Sequence, residues 1–480
     1  MYDFVVIGAG VVGGFVARAL TSYKCSVCIV EKESDVAMGA SKANSAIVHA
    51  GFDAKEGSLK AELNVKGSEM MEEVAMELGV PYRRNGALVI GFDKDDEETL
   101  KGLLKRGNAN GVKGLKLLYG DEIREIEPNI SVNVTCALSA PTSAIISPYE
   151  LAVAAIGNAM DNGAELVCDF EVASIERENG VYKLVSADGK EVSANCVINC
   201  AGVYSDAVAA MADESSTVSV YPRRGEYMVF DKTCGSLVNN TIFRTPTKMG
   251  KGILVTPTVD GNLLIGPTAE NIDDKEAKET TASGLSSVLA EAMANVNGIQ
   301  RGKIITSFCG LRAVGNTGDF IINFKDNFVN AAGIESPGLT SSPAIAEYII
   351  KMLEREGVLP EKNEKFSPKR APFHEFRNMT NAEKTAYILF NPEYGRLVCR
   401  CEKVTEGEII KAIRTNPPAR TVDAVKRRTR SGMGRCQGGF CMATVTDILA
   451  RELGIPYEAV TKDGKGSFIN IGRTKGGEEK

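Results

Sequence analysis

Cys399-Arg400-Cys401 and Cys436-Gln437-Gly438-Gly439-Phe440-Cys441 place four thiols in two close pairs, 34 residues apart, near the end of the chain. Two pairs of thiolates can complete tetrahedral sulfur coordination, and Gly432, Gly434, Gly438 and Gly439 leave backbone N–H groups free to turn toward the sulfurs. Arg400, Lys426, Arg427, Arg428 and Arg435 lie nearby and could offset the negative charge of such a centre. A [2Fe-2S] cluster and a structural zinc both take four thiolates. The C-x-C and C-x-x-x-x-C spacings depart from the paired C-x-x-C of a zinc ribbon and favour the cluster, and a disulfide fits least well. Cys25-Ser26-Val27-Cys28 has redox-motif spacing, but it falls in an expected buried strand, Cys25 to Val30, whose pleat would hold the thiols on different faces. These two are read as core.

A second chemical pattern opens the chain. Tyr2 to Ile7 is a short apolar run, Gly8-Ala9-Gly10-Val11-Val12-Gly13 follows at once, Gly14 to Leu20 has helical composition, and a second apolar strand closes on Glu31. In a βαβ unit of this kind Gly8 permits the tight turn, Gly10 lets a pyrophosphate approach the backbone, and Gly13 lets helix and strand pack closely. The helix N-terminus offers free N–H groups and partial positive charge to the diphosphate. Glu31 stands at the distance needed to bind a ribose hydroxyl. The motif implies a dinucleotide without separating FAD from NAD, and no second fingerprint of this type is evident.

The chain has two histidines. His49 ends a small-residue stretch, Met38 to Gly51, suited to close approach of backbone to a ligand. Histidine in such a stretch is more often a packed polar residue than a proton carrier.

The elements that must position these residues follow from periodicity. A helix is expected from Leu59 to Leu78, with Leu59, Leu63, Met70, Met71 and Val74 on one face. A strand at Ala87 to Phe92 and a helix at Glu97 to Asn110 come next, and Pro148 opens another helix. Strands are expected at Glu165 to Ile175, Tyr182 to Ser186 and Cys196 to Gly202, with a helix from Ser205. From Tyr221 the pattern becomes that of an antiparallel sheet, with strands at Tyr227 to Phe230, Gly252 to Pro257 and Asn262 to Gly266 and a turn at Asp260-Gly261. A last βα unit runs from Phe328 to Gly333 into a helix at Ser342 to Leu353. The polar, proline-bearing stretch 354–396 reads as a linker with a short helix at Thr385 to Phe390.

These elements give an α/β (α+β) fold: a Rossmann-like dinucleotide-binding domain interrupted by an antiparallel-sheet domain, plus a small C-terminal domain. The expected divisions are 1–80, 146–220 and 311–353 for the nucleotide domain, 81–145 and 221–310 for the inserted sheet, 354–396 for the linker, 397–460 for the cysteine domain and 461–480 for a tail.

Length, charge and composition restrict the partners. The 480 residues carry a net charge of -6, which argues against a general nucleic-acid binder. No apolar run is long enough to span a bilayer, and no basic segment precedes an apolar one at the start, so neither a transmembrane segment nor an export signal is expected. Twelve cysteines in such a chain suit reduced thiols and metal ligands, and the expected location is the cytoplasm.

The order of motifs resembles a known family. Gly8-Ala9-Gly10 through Glu31, Asn44-Ser45-Ala46-Ile47-Val48-His49-Ala50-Gly51, Asn199-Cys200-Ala201-Gly202, Arg224-Gly225-Glu226-Tyr227, Thr256-Pro257-Thr258-Val259-Asp260-Gly261-Asn262, Gly310-Leu311-Arg312 and Asn330-Ala331-Ala332-Gly333 are similar to motifs of the glycine-oxidase/D-amino-acid-oxidase superfamily of FAD enzymes. The likeness is strongest to its glycerol-3-phosphate dehydrogenase and L-2-hydroxyglutarate dehydrogenase branches. Residues 397–442 resemble the [2Fe-2S] domain of bacterioferritin-associated ferredoxin. The combination resembles the large-subunit family of anaerobic-type glycerol-3-phosphate dehydrogenases.

That resemblance implies FAD across the first βαβ unit, with Gly8, Gly10, Gly13 and Glu31 at the nucleotide, the backbone of Val172 at the adenine, and Ala201 and Gly202 beside it. The segment containing Ser41, Asn44 and His49 would pass the isoalloxazine. Gly333, Ile334, Gly338, Leu339 and Thr340 would meet the flavin pyrimidine at a helix start, where positive potential stabilises the reduced ring. His49 would take the proton of a substrate hydroxyl. Arg312 would grip a phosphate or carboxylate, with Arg224 and Tyr227 lining the same pocket. Cys399, Cys401, Cys436 and Cys441 would hold the cluster.

The implied activity is oxidation of sn-glycerol 3-phosphate to dihydroxyacetone phosphate, with electrons leaving through the cluster to an oxidoreductase subunit in an oligomer or complex. The protein would be cytoplasmic, or peripheral at the inner membrane through that partner. An L-2-hydroxyglutarate dehydrogenase and then an amino-acid or amine dehydrogenase are the rival enzymes. A non-enzymatic electron-relay subunit and a zinc-bearing interaction module are the rivals of other classes.

Overall fold

The structure is a computed structural model, and it describes residues 1–246, 252–373 and 375–472. The apolar run at the start forms the strand Tyr2–Ile7, whose last four residues are buried, as a strand covered on both faces requires. It lies in parallel between Val27–Val30 and Glu191–Asn199 at the centre of an eight-stranded sheet. The second half of Glu191–Asn199 pairs in parallel with Phe328–Ala332, while its first half pairs antiparallel with Val181–Ser186.

The helix Val11–Leu20 begins as soon as the glycine turn ends. Gly13 is the contact that sets its distance from the strand: a Cβ there would lie 2.0 Å from the carbonyl oxygen of Gly8. Gly13→Ala is therefore expected to push helix and turn apart, costing about 1–3 kcal/mol, the usual range for overpacking. Retention of FAD by the purified chain should fall with it. A variant that melts and holds flavin like the parent would show that the contact relaxes freely.

Several element boundaries differ from expectation for identifiable reasons. Glu165 to Ile175 is two strands, Glu165–Val167 and Val172–Glu178, because Asp169 adopts φ +53 and Phe170 reaches across to the carbonyl of Glu31. The strand expected at Cys25 begins at Val27, so the thiol of Cys25 stands outside it and donates to the carbonyl of Leu20, whereas Cys28 is buried within it. The final long helix spans Gly338–Arg355 and thus begins before Ser342. Pro343 removes one helical N–H, and the hydroxyl of Ser342 donates to the freed carbonyl of Leu339 instead.

The inserted domain is a nine-stranded sheet built on the long pair Val220–Phe230 and Ile304–Gly315. It is antiparallel except where Thr241–Arg244 runs parallel to Ala87–Gly91. Alternation along the long pair decides which arginines face the ligand site.

The chain then returns as a strap. Asn363 donates to Ser22, Arg370 to Glu77, and the carbonyl of Glu361 accepts from Lys24, so 354–373 runs bonded along the nucleotide domain. A helix at Asn381–Phe390 follows, capped by Thr380 and Glu383. His374, and within the tail 461–480 the residues from Arg473 on, lie outside the described residues. The cysteine domain packs Glu406–Arg414, Val422–Thr429 and Met442–Leu453 around Val404, Ile409, Ile413, Val425, Ile448 and Leu449.

Candidate functional site

A cavity of about 770 Å³ runs from the glycine turn, past the segment 38–55, to one face of the long strand pair. Its nucleotide end has the features of a diphosphate cradle. Gly8 sits at φ +103, and a Cβ there would strike the carbonyl of Cys200 at 2.6 Å. A Cβ on Gly10 would meet only the hydroxyl of Ser41, at 3.2 Å, so that face opens to the cavity. Gly10 at the N-cap supplies no capping side chain, and of the first-turn donors the N–H of Val11 is taken by Ser41 Oγ at 2.9 Å. Glu31 is half-buried at the cavity edge, where desolvation raises its carboxyl and the N–H groups of Glu33 and Ala9 oppose the rise. Val172, Ala201 and Gly202 line the same end. An elongated dinucleotide fits this arrangement: glycine-lined backbone, an open helix start and an acid where a ribose would lie.

The other end is formed by Ile334, Gly338 and Leu339 at the start of the last long helix, by the turn around Asn44, and by the strand pair. Asn44 fixes that turn, donating to the carbonyls of Ala40 and Ser41 and accepting from the N–H of Ala46. His49 is held from two helices. Its N–H donates to Thr340 Oγ1 at 2.9 Å, its carbonyl accepts from Asn64 at 2.7 Å, and its Nε2 stands 3.5 Å from Ser336 Oγ.

The strand register resolves the arginines. Arg312 on Ile304–Gly315 lies directly opposite Arg223 on Val220–Phe230, so the two share a face, and both line the cavity with Tyr227. Arg224 is one residue out of phase. It turns to the other face and pairs with Glu270 at 2.5 Å and Glu279 at 3.5 Å, so the expectation that it lines the pocket is corrected to Arg223. No feature of the sequence alone separates two adjacent arginines; only the pleat does. Arg223 itself bonds Asn271 and lies 3.9 Å from Glu335. Arg312 donates to the carbonyl of Thr268 at 3.2 Å and forms no ion pair among the described residues. Tyr227 stacks on Phe308 with centroids 4.7 Å apart, its hydroxyl 3.2 Å from Ser45 Oγ.

Three further expectations change. Gly13, Gly333 and Thr340 do not line the cavity. Gly13 separates helix from turn, Gly333 sits at φ +63 against Gly315, and Thr340 is fully buried as the strut between Ile47 and His49.

The four C-terminal sulfurs come together as two pairs. The thiol of Cys401 donates to Cys436 at 3.7 Å, and the thiol of Cys441 donates to Cys399. That bond, with the N–H groups of Gly432 and Glu402, holds the buried Cys399 thiol down to about 5 and leaves Cys441 raised. Burial raises Cys436, but the N–H of Phe440, the Cys401 thiol and the N–H of Gly438 outweigh it. Among the described residues no three Cys, His, Asp or Glu side chains converge as a single ion would need. Backbone donors aimed at paired thiolates fit a two-iron centre better than one zinc.

The nearby arginines are also tied into carboxylates of the other domains. Arg428, fully buried, forms two bonds to the carboxylate of Asp35, and Arg427 adds a 2.7 Å bond to the same group. Arg430 joins Glu402 to Asp260 and to the hydroxyl of Tyr149, and Arg435 grips Asp231. The cysteine domain is thus bolted to both other domains by buried charge pairs that no sequence pattern announces. Of the expected set, Arg400 and Arg435 stay exposed, Arg435 while pairing with Asp231.

Asp35 carries a pH signature. Burial raises its carboxyl, but Arg428 and then Arg427 more than reverse this and hold it at about 2. Its folded value is depressed, so its stabilisation is present above the ordinary carboxylate range and is lost as pH falls from about 4 through about 2. Asp35→Asn should therefore unfold in urea with about 2–3 kcal/mol less stability at neutral pH. The gap to the parent should close below about pH 2; a gap independent of pH would show that the charge is not what Asp35 contributes.

Comparison with known proteins agrees with this geometry. Residues 3–352 match the family described as FAD dependent oxidoreductase, and residues 397–451 match the BFD-like [2Fe-2S] binding domain. The chain is 46% identical over 478 residues, 99% of both proteins, to a glycerol 3-phosphate dehydrogenase of Caloramator mitchellensis. It is 30% identical to a glycerol 3-phosphate oxidase of Mycoplasma pneumoniae over 73% of this chain and 94% of that one. It is 32% identical to the mitochondrial L-2-hydroxyglutarate dehydrogenase of Mus musculus over 55% of this chain and 60% of that one. The solved structure of dithionite-reduced L-α-glycerophosphate oxidase from Mycoplasma pneumoniae with FAD bound superposes with a TM-score of 0.73 at 29% identity, covering 77% of this chain and 98% of the other.

Proposed function

We propose, from the premise that this chain belongs to the FAD-dependent oxidoreductase family and carries a BFD-like [2Fe-2S] domain, that it oxidises sn-glycerol 3-phosphate to dihydroxyacetone phosphate and passes the electrons to a partner protein. The observation that carries the substrate class is Arg312, a cavity-lining guanidinium with no ion pair among the described residues, placed beside Arg223 on one sheet face. Two such groups suit an oxyanion, because each offers a planar fork of donors. Full-length similarity to a glycerol 3-phosphate dehydrogenase supports phosphate as that oxyanion.

In this reading Arg312 fixes the phosphate end, Tyr227 closes the pocket wall, and the imidazole Nε2 of His49 takes the proton of the secondary hydroxyl. FAD, held by Gly8, Gly10, Ser41, Glu31, Val172, Ala201 and Gly202, supplies hydride acceptance at N5 when bound. The helix that starts at Gly338, with no capping side chain at its N-cap, would offer positive potential to a flavin bound at that end of the cavity. Cys399, Cys401, Cys436 and Cys441 would hold the two irons, which supply one-electron transfer. No helix among the described residues is long and apolar enough to cross a membrane.

L-2-Hydroxyglutarate is the second reading, favoured by the mouse relative, because a carboxylate can use the same arginine. Anaerobic titration of the purified protein decides between them. Bleaching of the flavin band by sn-glycerol 3-phosphate, with little change from L-2-hydroxyglutarate, glycine or proline, is the expected result. Bleaching by the hydroxy acid alone would transfer the assignment to it. A flavin that no small substrate bleaches, but that a reductase does, would mark an electron-relay subunit.

A further inference from the structure

The two sulfur pairs differ in depth. Cys399 and Cys441 are 1% and 2% exposed and join the core of their domain, whereas Cys401 is exposed and Cys436 partly so. The shallow pair is framed by the segments 399–403 and 434–442, drawn together where a Cβ on Gly434 would lie 2.3 Å from that of Cys401. The exposed charged residues of both segments are Arg400, Lys403 and Arg435, all basic. Their one acid, Glu402, is buried under Arg430 and Lys232. Phe440, whose N–H points at Cys436, presents its ring to solvent at 86% exposure. In a chain of net charge -6, this is a local basic rim around an aromatic plug at the outer end of the sulfur site.

We infer that the face formed by Arg400, Lys403, Phe440 and the shallow thiols of Cys401 and Cys436 is the docking surface for an acidic one-electron carrier protein. The inference rests on the proposed oxidoreductase function and deepens it by naming the exit and the charge of what docks there. Basic side chains steer an anionic partner, and an exposed aromatic gives the short-lived complex an apolar anchor that desolvates on contact. Small, polar contacts of this kind suit redox encounters, which must form and part quickly. The stoichiometry follows: oxidation of one secondary alcohol to a ketone releases two electrons and two protons, so two carrier molecules are reduced in turn and the protons go to solvent. The buried bonds from Arg427 and Arg428 to Asp35, and from Arg430 to the hydroxyl of Tyr149, fix the cysteine domain on the nucleotide domain, while Arg400, Lys403 and Phe440 stay exposed on the outer face.

The test uses the full-length protein with its flavin and iron, and oxidised flavodoxin as an acidic probe of known charge. Binding measured by titration calorimetry should weaken at least about tenfold between low and physiological salt. It should weaken by a similar factor in Arg400→Glu/Lys403→Glu, and Phe440→Ser should shorten the complex lifetime. Arg400 and Lys403 form no ion pair among the described residues, so these variants should keep the parent's flavin content, visible spectrum and anaerobic bleaching by substrate. Cytochrome c, a basic carrier, should not bind. Equal binding of cytochrome c, unchanged affinity in the charge-reversed variant, or preferential binding of the parent to anionic phospholipid vesicles would overturn the inference. Loss of substrate bleaching in the parent would instead remove the proposed function, whatever the binding result.

Discussion

Cys436→Ala is expected to leave bleaching of the flavin by sn-glycerol 3-phosphate intact while cutting onward delivery of electrons to a carrier protein. The loss should exceed the roughly hundredfold that follows removal of an outer-shell partner, since on the proposed reading a ligand itself is deleted. Cys436 is the suitable thiol because it is only partly buried, so truncation leaves the packing around Cys399 and Cys441 in place. The N–H groups of Phe440 and Gly438, and the thiol of Cys401 at 3.7 Å, lose their target. Iron analysis and the visible spectrum report loss of the centre, and stopped-flow bleaching reports the flavin half separately. A variant without iron that reduces the carrier as fast as the parent would show that electrons leave directly from the flavin.

Arg312→Ala should lower kcat/KM for sn-glycerol 3-phosphate by about 10²–10³, the consequence of losing a charge-assisted fork worth about 3–4 kcal/mol. The guanidinium lines the cavity and makes one hydrogen bond, to the carbonyl of Thr268, among the described residues, which leaves most of its donors for a ligand. Flavin content should not change, because Arg312 lies on the inserted sheet, remote in the chain from the glycine turn. Arg312→Lys should recover only part of the loss, since a single ammonium cannot reproduce the planar fork. Gly225 offers an independent check: a Cβ there would lie 2.7 Å from Arg312 Nη2, so Gly225→Ala should displace the guanidinium and raise KM without removing it. Kinetics within threefold of the parent in Arg312→Ala would remove the anion-clamp role.

The parts legible in the sequence share one property: the signal and its cause lie close together along the chain. The turn Gly8 to Gly13 with Glu31, the C-x-C and C-x-x-x-x-C pairs, and the helix Leu59–Leu78 each declare themselves within about thirty residues. Where local signals failed, a distant strand or loop had intervened. Asp169 at positive φ broke one expected strand in two because the chain crosses back to Glu31. The choice between Arg223 and Arg224 depended on the pairing of Val220–Phe230 with Ile304–Gly315, and period-2 alternation means a one-residue shift reverses the face.

By itself, then, the sequence determined the groups available: a glycine turn followed by an acid, four thiols in two close pairs, and arginines suited to an anion. Only the tertiary structure decided where that chemistry points. Asp35 with Arg427 and Arg428, and Glu402 and Asp260 with Arg430, lie far apart in the chain and fix the cysteine domain on its neighbours. The physical reason is that residue type sets what a group can bind. Pleat, register and burial set which partner it meets, and those arise only when separate segments pack.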